Sequence, residues 1–322
     1  MRAVEVSKAG GPEVLVVAEH DTPGPGPGEI VVDTVAAGVN FMDIYGREGR
    51  PPYDRATPFV LGSEGAGTVS VLGDGVTDVA VGDTVAWTGV PGSYAEQVLV
   101  PVDRAVPVPD RVDPTVAAAV MLQGCTAHYL ATSTWPISAG DVAVVHAAAG
   151  GVGLLLTQIV RLRGGVVIAT TSGGEKTVLA HEAGAEHVAS YDDYLDVVRD
   201  VTDGAGATVV YDGVGRATFD DSLMALRRRG LMVLYGGASG PVPEFELQRL
   251  NTGGSLFITR PTLGDYIVTR EELRSRTDDL FRWIGDGDLQ VRIGGRYPLG
   301  QAGQAHEDLA GRRTTGKLIL TV

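Results

Sequence analysis

Residues 142–153, VAVVHAAAGGVG, decide the fold of this chain, because an apolar run of β-formers leads directly into a glycine-rich turn. After the turn, apolar residues repeat at the spacing of a helix, namely Val152, Leu155, Leu156, Ile159 and Leu162. Glycines permit a tight turn, close approach of main-chain N–H groups to phosphate, and close packing of helix on strand. A helix N-terminus also favours an anion. The order of strand, glycine turn and helix therefore predicts a dinucleotide pyrophosphate site.

The turn departs from the usual GxGxxG pattern, since residues 148–153 read AAGGVG. A turn that merely lets a helix pack on a sheet is the structural alternative. The downstream sequence favours the nucleotide site, because short apolar runs alternate with helical segments and show little polar alternation. The predicted strands are 166–170, 187–189, 208–212, 231–235 and 255–259, with helices at 176–183, 194–201 and 219–226. Together they predict an α/β domain with a doubly wound parallel sheet.

The end of the second strand of this domain indicates which dinucleotide binds. An NAD site usually carries a carboxylate there for the ribose hydroxyls, whereas residues 170–176 read TTSGGEK. A hydroxyl, a glycine turn and the ammonium group of Lys176 suit a 2′-phosphate, so the sequence predicts NADPH. The alternative is a solvated lysine in the first turn of a helix, and the neighbouring Glu175 weakens the phosphate interpretation.

The remaining sequence predicts a second, mostly β domain. Residues 1–123 are rich in Gly and Pro and contain short β-like runs, which predict an antiparallel, barrel-like fold; the runs are 29–36, 65–72, 83–87 and 94–100. The nucleotide domain takes residues 124–260. In the tail, 261–322, Thr269 and Glu272 form a capping box before a helix, and 317–322 is a final strand. We expect this tail to return to the first domain, with nicotinamide and substrate in a cleft between the domains.

Composition excludes several classes of function. The net charge of −14 disfavours nucleic-acid binding, and the basic cluster Arg227–Arg229 is interpreted as the solvated end of a helix. No apolar stretch approaches the ~20 residues that span a bilayer, and residues 1–6 resemble a strand rather than a signal peptide. We therefore expect a soluble cytoplasmic protein with neither a nucleic-acid nor a membrane partner.

The cysteine and histidine residues do not predict a metal site. The single cysteine, Cys125, excludes intrachain disulfides and any multi-cysteine metal site, and is interpreted as a small buried hydrophobe. The six histidines show no HxxxH or similar ligand spacing. We expect no catalytic metal.

Several motifs together resemble the zinc-independent quinone oxidoreductase, or zeta-crystallin-like, branch of the medium-chain dehydrogenase/reductase superfamily. They are GGPEVL at 10–15, GVNFMDIYGREG at 38–49, LGSEGAGTV at 61–69, HAAAGGVGLLLTQ at 146–158 and TRPTLGDYI at 259–267. The resemblance covers nearly the whole chain. It implies a GroES-like catalytic domain joined to a Rossmann domain, NADPH as cofactor, and a homodimer, for which strand 256–258 is a candidate contact.

Zinc-binding relatives carry a cysteine before the aspartate that is here Asp43, and a histidine before the glutamate that is here Glu64. This chain has Met42 and Ser63 at those places. The resemblance therefore implies the same conclusion as the composition, namely that no zinc is bound.

The resemblance also implies site residues. Gly150, Gly151, Val152 and Gly153 would lie under the pyrophosphate, and the 2′-phosphate would be surrounded by Ser172, Lys176, Tyr191 and Arg312. Further cofactor contacts are implied for Thr126, Gly213, Tyr235 and Gly236, through the main chain at the last three. Asn40, Tyr45, Tyr53 and Arg260 are the catalytic candidates. The alternatives to a catalytic role are that Asn40 forms a turn, that Tyr45 and Tyr53 are ordinary half-buried aromatic residues, and that Arg260 pairs with a carboxylate.

The predicted reaction is hydride transfer from NADPH to a quinone, whose negatively charged product oxygen needs no strong acid or metal. Polar donors such as Tyr45 or Arg260 would stabilise that oxygen. One alternative is reduction of an enoyl or other α,β-unsaturated carbonyl double bond, in which protonation at carbon makes a positioned acid more important. A second alternative is a non-enzymatic, crystallin-like NADPH-binding protein.

Overall fold

The computed structural model describes residues 1–322 and contains sixteen strands and nine α-helices. The strands are β1 (Arg2–Val6), β2 (Leu15–Glu19), β3 (Glu29–Val39), β4 (Phe59–Val60), β5 (Glu64–Leu72), β6 (Thr84–Thr88), β7 (Gln97–Pro101), β8 (Val106–Pro107), β9 (Val142–Val145), β10 (Val166–Thr170), β11 (His187–Ala189), β12 (Ala207–Asp212), β13 (Leu226–Leu234), β14 (Phe257–Thr259), β15 (Ile293–Pro298) and β16 (Lys317–Thr321). The helices are α1 (Phe41–Arg47), α2 (Pro114–Tyr129), α3 (Gly151–Leu162), α4 (Glu175–Glu182), α5 (Tyr194–Val201), α6 (Phe219–Met224), α7 (Gln248–Thr252), α8 (Arg270–Asp286) and α9 (Ala302–Ala310).

The chain divides into two units. Unit 1 comprises Met1–Cys125 and Ile267–Val322, and unit 2 comprises Thr126–Tyr266. The sequence-based boundaries, after residues 123 and 260, lie close to these positions. The first boundary falls inside α2, so no turn or loop in the sequence marks it.

Unit 2 contains a six-stranded sheet in the order β11-β10-β9-β12-β13-β14. Every neighbouring pair in it is parallel. The central strands are buried on both faces, as the lack of polar alternation in the sequence predicted; all residues of β12 are buried. The doubly wound α/β fold class is confirmed.

The sequence analysis was wrong about the basic cluster Arg227–Arg229. Helix α6 ends at Met224, and the three arginines lie in β13, where they are exposed. Arg229 has a left-handed φ of 58°, and the pairing of β12 with β13 shifts register between Ala207 and Val209. This irregular strand start lacks the apolar pattern on which the sequence assignment relied, so the strand was predicted to begin only at 231.

Unit 1 contains two sheets, as expected for the mostly β domain. One has three strands in the order β2-β1-β4, and the other has seven, in the order β15-β16-β3-β5-β6-β8 with β7 also paired to β3. Within residues 1–123 every strand pair is antiparallel, as predicted for that part of the chain. The tail adds one parallel pair, β15 with β16, which the sequence analysis did not predict. Strand β16 pairs antiparallel with β3, with Leu318 opposite Val39, so the C-terminal strand is part of this sheet. Helix α9 connects β15 to β16, as a parallel pair requires a crossover.

The capping box predicted for α8 is present. The Glu272 N–H donates to Thr269 Oγ1 at 3.2 Å, and the Thr269 N–H donates to Glu272 Oε2 at 3.3 Å. The helix ends at Gly287, whose φ of 84° suits glycine. None of the helices combines the length and apolar character that a membrane-spanning segment requires.

Candidate functional site

The glycine-rich turn of unit 2 joins β9 to α3 as predicted. The first intrahelical bond is donated by the Leu154 N–H to the Gly150 carbonyl at 2.9 Å, so the N–H groups of residues 151–153 precede the helical ladder. No acidic side chain lies in the first turn of α3. Main-chain donors without a nearby carboxylate fit an anionic pyrophosphate.

Gly153 and Gly150 differ in how tightly they are packed. A Cβ on Gly153 would lie 2.4 Å from the Ala147 carbonyl oxygen and 2.7 Å from Ala148 Cα, whereas a Cβ on Gly150 would meet only the Ala147 oxygen, at 3.1 Å. Gly153 is therefore needed for close packing of α3 against the turn, in agreement with the role assigned to such a glycine.

A buried hydrogen-bond network underlies this turn, and the sequence analysis did not find it. The Ser222 hydroxyl donates to Asp212 Oδ2 at 2.9 Å and so accepts the Nε2–H of His146 at 3.0 Å. The opposite ring nitrogen of His146 accepts from the Thr170 hydroxyl at 2.8 Å. Burial lowers the pKa of His146 to about 4, against the opposing effect of Asp212. One neutral imidazole therefore connects the C-terminal ends of β9, β10 and β12.

Two of the predicted 2′-phosphate residues of unit 2 line a cavity of about 330 Å³. It is lined by residues that include Ser172, Tyr191 and Asp192. Lys176 Nζ donates to Ser172 Oγ at 3.3 Å, so the ammonium and the hydroxyl are brought together. Asp192 was missed by the sequence analysis, and its exposed carboxylate opposes an anion in this cavity.

Tyr191 links this cavity to the glycine-rich turn. Its hydroxyl accepts a hydrogen bond from the Ala147 N–H at 3.2 Å, and its ring stacks on His146 with centroids 5.8 Å apart. The sequence analysis had assigned Tyr191 only to the adenosine end of the cofactor.

Gly213, Tyr235 and Gly236 meet where β12 and β13 end. A Cβ on Gly213 would lie 2.8 Å from the Tyr235 hydroxyl, and a Cβ on Gly236 would lie 2.5 Å from the Gly213 oxygen. Burial raises the pKa of Tyr235 above its ordinary value, so the phenol is neutral. Glycines at both places therefore permit the close approach of the two loops, while cofactor contacts through the main chain there stay a prediction.

The two other candidates of unit 2 lie apart from the turn in sequence. Thr126 lies in α2 and is buried. Arg260 follows β14, is exposed, and donates from Nη1 to the Pro261 oxygen at 3.3 Å. The roles of both residues stay predictions.

In unit 1, the candidates Asn40, Tyr45 and Tyr53 come together around α1. Asn40 caps the helix, and its N–H donates to Asp43 Oδ2 at 2.8 Å in a capping box. The rings of Tyr45 and Tyr53 are in contact, with centroids 5.7 Å apart, and the Arg50 guanidinium lies over Tyr45. Helix α1 therefore has Asn40 at its N-terminus and carries Tyr45 in contact with Tyr53, while the catalytic role of the three residues stays a prediction.

The Asn40 side chain is engaged by residues far away in sequence. Its Nδ2 donates to Glu64 Oε1 at 2.6 Å, and its Oδ1 accepts from Lys317 Nζ at 2.7 Å. Lys317 also forms an ion pair with Glu64, and both side chains are fully buried. Gln123 Nε2 lies 3.5 Å from Asn40 Oδ1, and its own Oε1 is buried without a hydrogen-bond partner.

A directed chain of hydrogen bonds leads to Asp43. Arg47 Nη1 donates to His306 Nδ1 and His306 Nε2–H donates to the Tyr94 oxygen, both at 3.3 Å, and the Tyr94 hydroxyl donates to Asp43 Oδ2 at 3.0 Å. Burial raises the pKa of Asp43 to about 7, although its bond from Asn40 and the charge of Lys317 lower it. Burial and the nearby Arg47 lower the pKa of His306 to about 3, so His306 is neutral.

The residues at the zinc-ligand positions of the family contact each other. The Ser63 hydroxyl lies 3.7 Å from Met42 Sδ, at a distance for a weak hydrogen bond to sulfur. A thioether and a hydroxyl are poor ligands for Zn²⁺ compared with thiolate and imidazole.

Arg312 lies in unit 1, after α9, with a left-handed φ of 54°. Its side chain is exposed. Its contact with the 2′-phosphate stays a prediction.

Weak signals for the residues that were missed are present in the sequence. Lys317 is a charged residue at the start of an apolar strand, Glu64 interrupts a run of small residues, and Asp212 ends a largely apolar strand. Charges in such places are expected to be paired, but their partners are distant in sequence.

Two family models match the chain. One described as "Zinc-binding dehydrogenase" matches residues 183–320, and one described as "Alcohol dehydrogenase GroES-like domain" matches residues 26–110. The "Quinone oxidoreductase" of Pseudomonas aeruginosa is 42% identical over 322 residues, covering 99% of this chain and 99% of the relative. The "2-haloacrylate reductase" of a Burkholderia species is 38% identical over 326 residues, covering 99% and 98%.

Solved structures are similar over the full length. The structure of a mycobacterial protein complexed with NADPH has a TM-score of 0.96 and 45% identity, covering 100% of both chains. The structure of Escherichia coli quinone oxidoreductase complexed with NADPH has a TM-score of 0.97 and 39% identity, again covering 100% of both chains.

Proposed function

The chain belongs to the quinone oxidoreductase branch of the medium-chain dehydrogenase/reductase superfamily, and we propose that it catalyses the NADPH-dependent reduction of quinones. The observation that carries the proposal is the start of α3. There, the N–H groups of residues 151–153 lie before the first intrahelical bond, beside a glycine-rich turn that would accept a pyrophosphate. NADPH-bound relatives with the same fold support the choice of cofactor.

The residues of unit 2 fit NADPH in three respects. The turn offers main-chain donors without a carboxylate in the first turn of α3. Lys176 and Ser172 offer a cation and a hydroxyl for the 2′-phosphate. Gly213 and Gly236 leave room for a close approach of the main chain, since a Cβ on either would lie within 3 Å of a neighbouring atom. We propose Thr126, Tyr191, Tyr235 and Arg312 as further contacts.

The overall reaction takes up one hydride and one proton per quinone and yields a hydroquinone. When bound, NADPH supplies the hydride and becomes NADP⁺. The part of the protein is to orient the acceptor and to donate hydrogen bonds to the quinone oxygen on which negative charge develops. We propose Asn40 and Tyr45 as such donors, with Tyr53 and Arg260 as further catalytic residues. Water can protonate the resulting phenolate, so no strong acid is required.

We propose that this reaction proceeds without zinc. The support is chemical, because the ligand positions of the zinc-binding relatives hold Met42 and Ser63, and these side chains satisfy each other. Activity that persists after exhaustive chelation is expected, and activity that metal restores would contradict the proposal.

A second candidate is the reduction of an α,β-unsaturated carbonyl compound. It is favoured by the similarity to a 2-haloacrylate reductase over the full chain. Purified protein should therefore be mixed with NADPH or NADH and with a panel of quinones, enones and enoyl thioesters, while loss of the reduced cofactor is followed. Oxidation with quinones is the expected result. Oxidation only with enones or thioesters would move the assignment to the second candidate, and saturable NADPH binding without turnover would favour a non-enzymatic role.

We also propose a cytoplasmic homodimer. The edge strand of the sheet in unit 2, β14, carries Phe257, which is 58% exposed, and a two-fold pairing of such edges is a common dimer contact. The lone cysteine, Cys125, is buried, which is compatible with a reducing compartment. Light scattering on the purified protein and on a Phe257→Lys variant tests the contact, and an unchanged dimer in the variant would reject it.

A further inference from the structure

A buried ion pair in unit 1 lies beside the proposed catalytic residue Asn40. The side chains of Glu64 and Lys317 are 0% and 1% exposed, and both contact the Asn40 amide. Glu64 is also bound through its second oxygen by the Leu122 N–H at 2.6 Å. The three side chains come from β5, β16 and the residue that follows β3, so the pairing requires the folded sheet.

The chemistry of this pair determines the orientation of the Asn40 amide. An ammonium can only donate hydrogen bonds, and an ionised carboxylate can only accept them. Lys317 therefore requires Oδ1 of Asn40 on its side, and Glu64 requires Nδ2. A flipped amide would place two donors face to face and two acceptors face to face. Of the two Nδ2 hydrogens, one is used by Glu64 and the other is left as a donor.

The sheet makes room for this pair at Gly38. A Cβ at this position would lie 2.3 Å from Glu64 Oε1 and 2.7 Å from Lys317 Cε. Glycine in the interior of a strand weakens the strand, so its presence in β3 needs a local reason. Space for the two charged side chains is such a reason.

Stability alone does not explain a buried ion pair. Replacing such a pair by apolar residues of similar volume is often neutral or stabilising, because two charges must be removed from water. The neighbours of Lys317 along β16, Leu318 and Ile319, are fully buried apolar residues, so an apolar residue would suit the position. The pair therefore needs a role besides packing.

We propose that Lys317 and Glu64 are positioning residues, which hold the Asn40 amide in the orientation that presents its free Nδ2 hydrogen to the reacting quinone. The inference rests on the proposed quinone reductase function. The Lys317 charge also polarises the amide through Oδ1, which strengthens the N–H as a donor to an oxygen that gains negative charge.

A double-mutant cycle tests whether the pair acts through Asn40. The Glu64→Gln/Lys317→Met double variant removes both charges and keeps similar volumes, so it is expected to fold. We expect kcat for a quinone to fall at least tenfold, while KM and the dissociation constant of NADPH change less than twofold. In an Asn40→Ala background, the same double change should lower kcat by less than twofold, because the residue to be positioned is gone.

Two outcomes would overturn the proposal. One is an unchanged kcat in the folded double variant, and the other is a full additional loss in the Asn40→Ala background. If the double variant does not fold, Glu64→Asp alone serves, since it keeps the negative charge beside Lys317 and withdraws the carboxylate from Asn40 Nδ2. A three- to tenfold fall in kcat is then expected, and an unchanged kcat rejects the proposal.

A matched control is the exposed pair of Arg111 and Asp286, also in unit 1, with a distance of 2.7 Å. The Arg111→Met/Asp286→Asn variant should leave kcat unchanged within twofold. The unmodified protein separates the two claims. Absence of NADPH-dependent quinone turnover there would refute the proposed function and this inference with it, whereas turnover that is indifferent to the pair would refute only the positioning role.

Discussion

In unit 2 the candidate cofactor site is made largely of main chain, whereas in unit 1 the candidate catalytic site is made of side chains that meet from distant parts of the sequence. The start of α3 offers N–H groups, and its glycines act by having no side chain. Asn40, by contrast, is held by Glu64 and Lys317, which stand 24 and 277 residues away. The first kind of site is local and leaves a motif, while the second is assembled only by the sheet.

The two regions also differ in how they place charge. The network below the glycine turn keeps His146 neutral and gives the single buried charge of Asp212 four donors, from Val214, Gly215, Thr218 and Ser222. The network around Asn40 instead buries two opposite charges against each other. Disturbing one charge should therefore be most harmful in unit 1.

The largest effect is expected for Lys317→Met alone, which leaves the Glu64 carboxylate buried without its counter-charge. The free energy of unfolding should fall by about 3–5 kcal/mol, because one partner of a buried pair is removed. The exposed Arg111–Asp286 pair is the control, and Asp286→Asn should change stability by less than about 1 kcal/mol. Urea denaturation measures both. Similar small losses in the two variants would show that burial does not distinguish these pairs.

A pH dependence is expected from His146 in unit 2. Its pKa is about 4 in the folded protein and near 6.5 when unfolded, so the unfolded state binds the extra proton first. This contribution to stability is present above pH 6.5 and is lost as pH falls toward 4, by at most about 3 kcal/mol. The lowered pKa of His306 likewise makes stability fall as pH falls, whereas the raised pKa of Asp43 makes stability rise as pH falls below about 7.

The variant His146→Gln isolates this contribution, because His306 and Asp43 titrate in both proteins. Urea denaturation between pH 7 and pH 4 should show a flatter decline of stability in the variant than in the unmodified chain. Parallel curves for the two proteins would mean that the imidazole is not held neutral by burial.

A moderate effect is expected for Gly153→Ala. The added methyl group overlaps the Ala147 oxygen and Ala148 Cα, so the turn must shift at a cost of about 2 kcal/mol, and NADPH should bind roughly thirtyfold more weakly. Gly150→Ala is the matched control, since its Cβ would meet only one atom, at 3.1 Å, and it should weaken binding less than about threefold. NADPH fluorescence titration measures both, and equal losses would contradict the separate roles of the two glycines.

The smallest effect is expected for Lys176→Ala, which removes the ammonium group that contacts Ser172 at the cavity in unit 2. Loss of one charged hydrogen bond to the 2′-phosphate should weaken NADPH binding about tenfold and leave NADH binding unchanged. Asp192→Asn removes a negative charge from the same cavity and should strengthen NADPH binding slightly. Equal losses for NADPH and NADH in Lys176→Ala would reject the phosphate assignment.

How well each helix or strand could be predicted also depends on whether local or distant contacts determine it. Strands 166–170 and 187–189 and helix 194–201 were predicted with the bounds that the structure has, since each is a short periodic segment between turn signals. The start of β13 and the parallel pairing of β15 with β16 were not predicted, because a register shift and a strand order depend on partners elsewhere in the chain. The relative weight of local and distant contacts therefore decided which elements could be predicted.

The candidate residues show the same pattern. The glycines of the turn and the Ser172–Lys176 pair could be found because their spacing along the chain is set by one turn and one helix. Asp212, Ser222 and His146 could not be joined from the sequence, since hydrogen bonds between side chains of different strands leave no fixed spacing. Tyr94 and His306, which lead to Asp43, are separated by 212 residues.

By itself, the sequence determined the doubly wound α/β fold of unit 2 and the glycine turn at the start of α3, and it predicted NADPH as the cofactor. Periodicity and the conformational freedom of glycine act within a few residues, so they can be seen in the chain alone. Only the tertiary structure decided that Lys317 reaches Glu64 and Asn40, and that His146 is neutral. Burial and pairing depend on which strands become neighbours, and this is a property of the whole folded sheet.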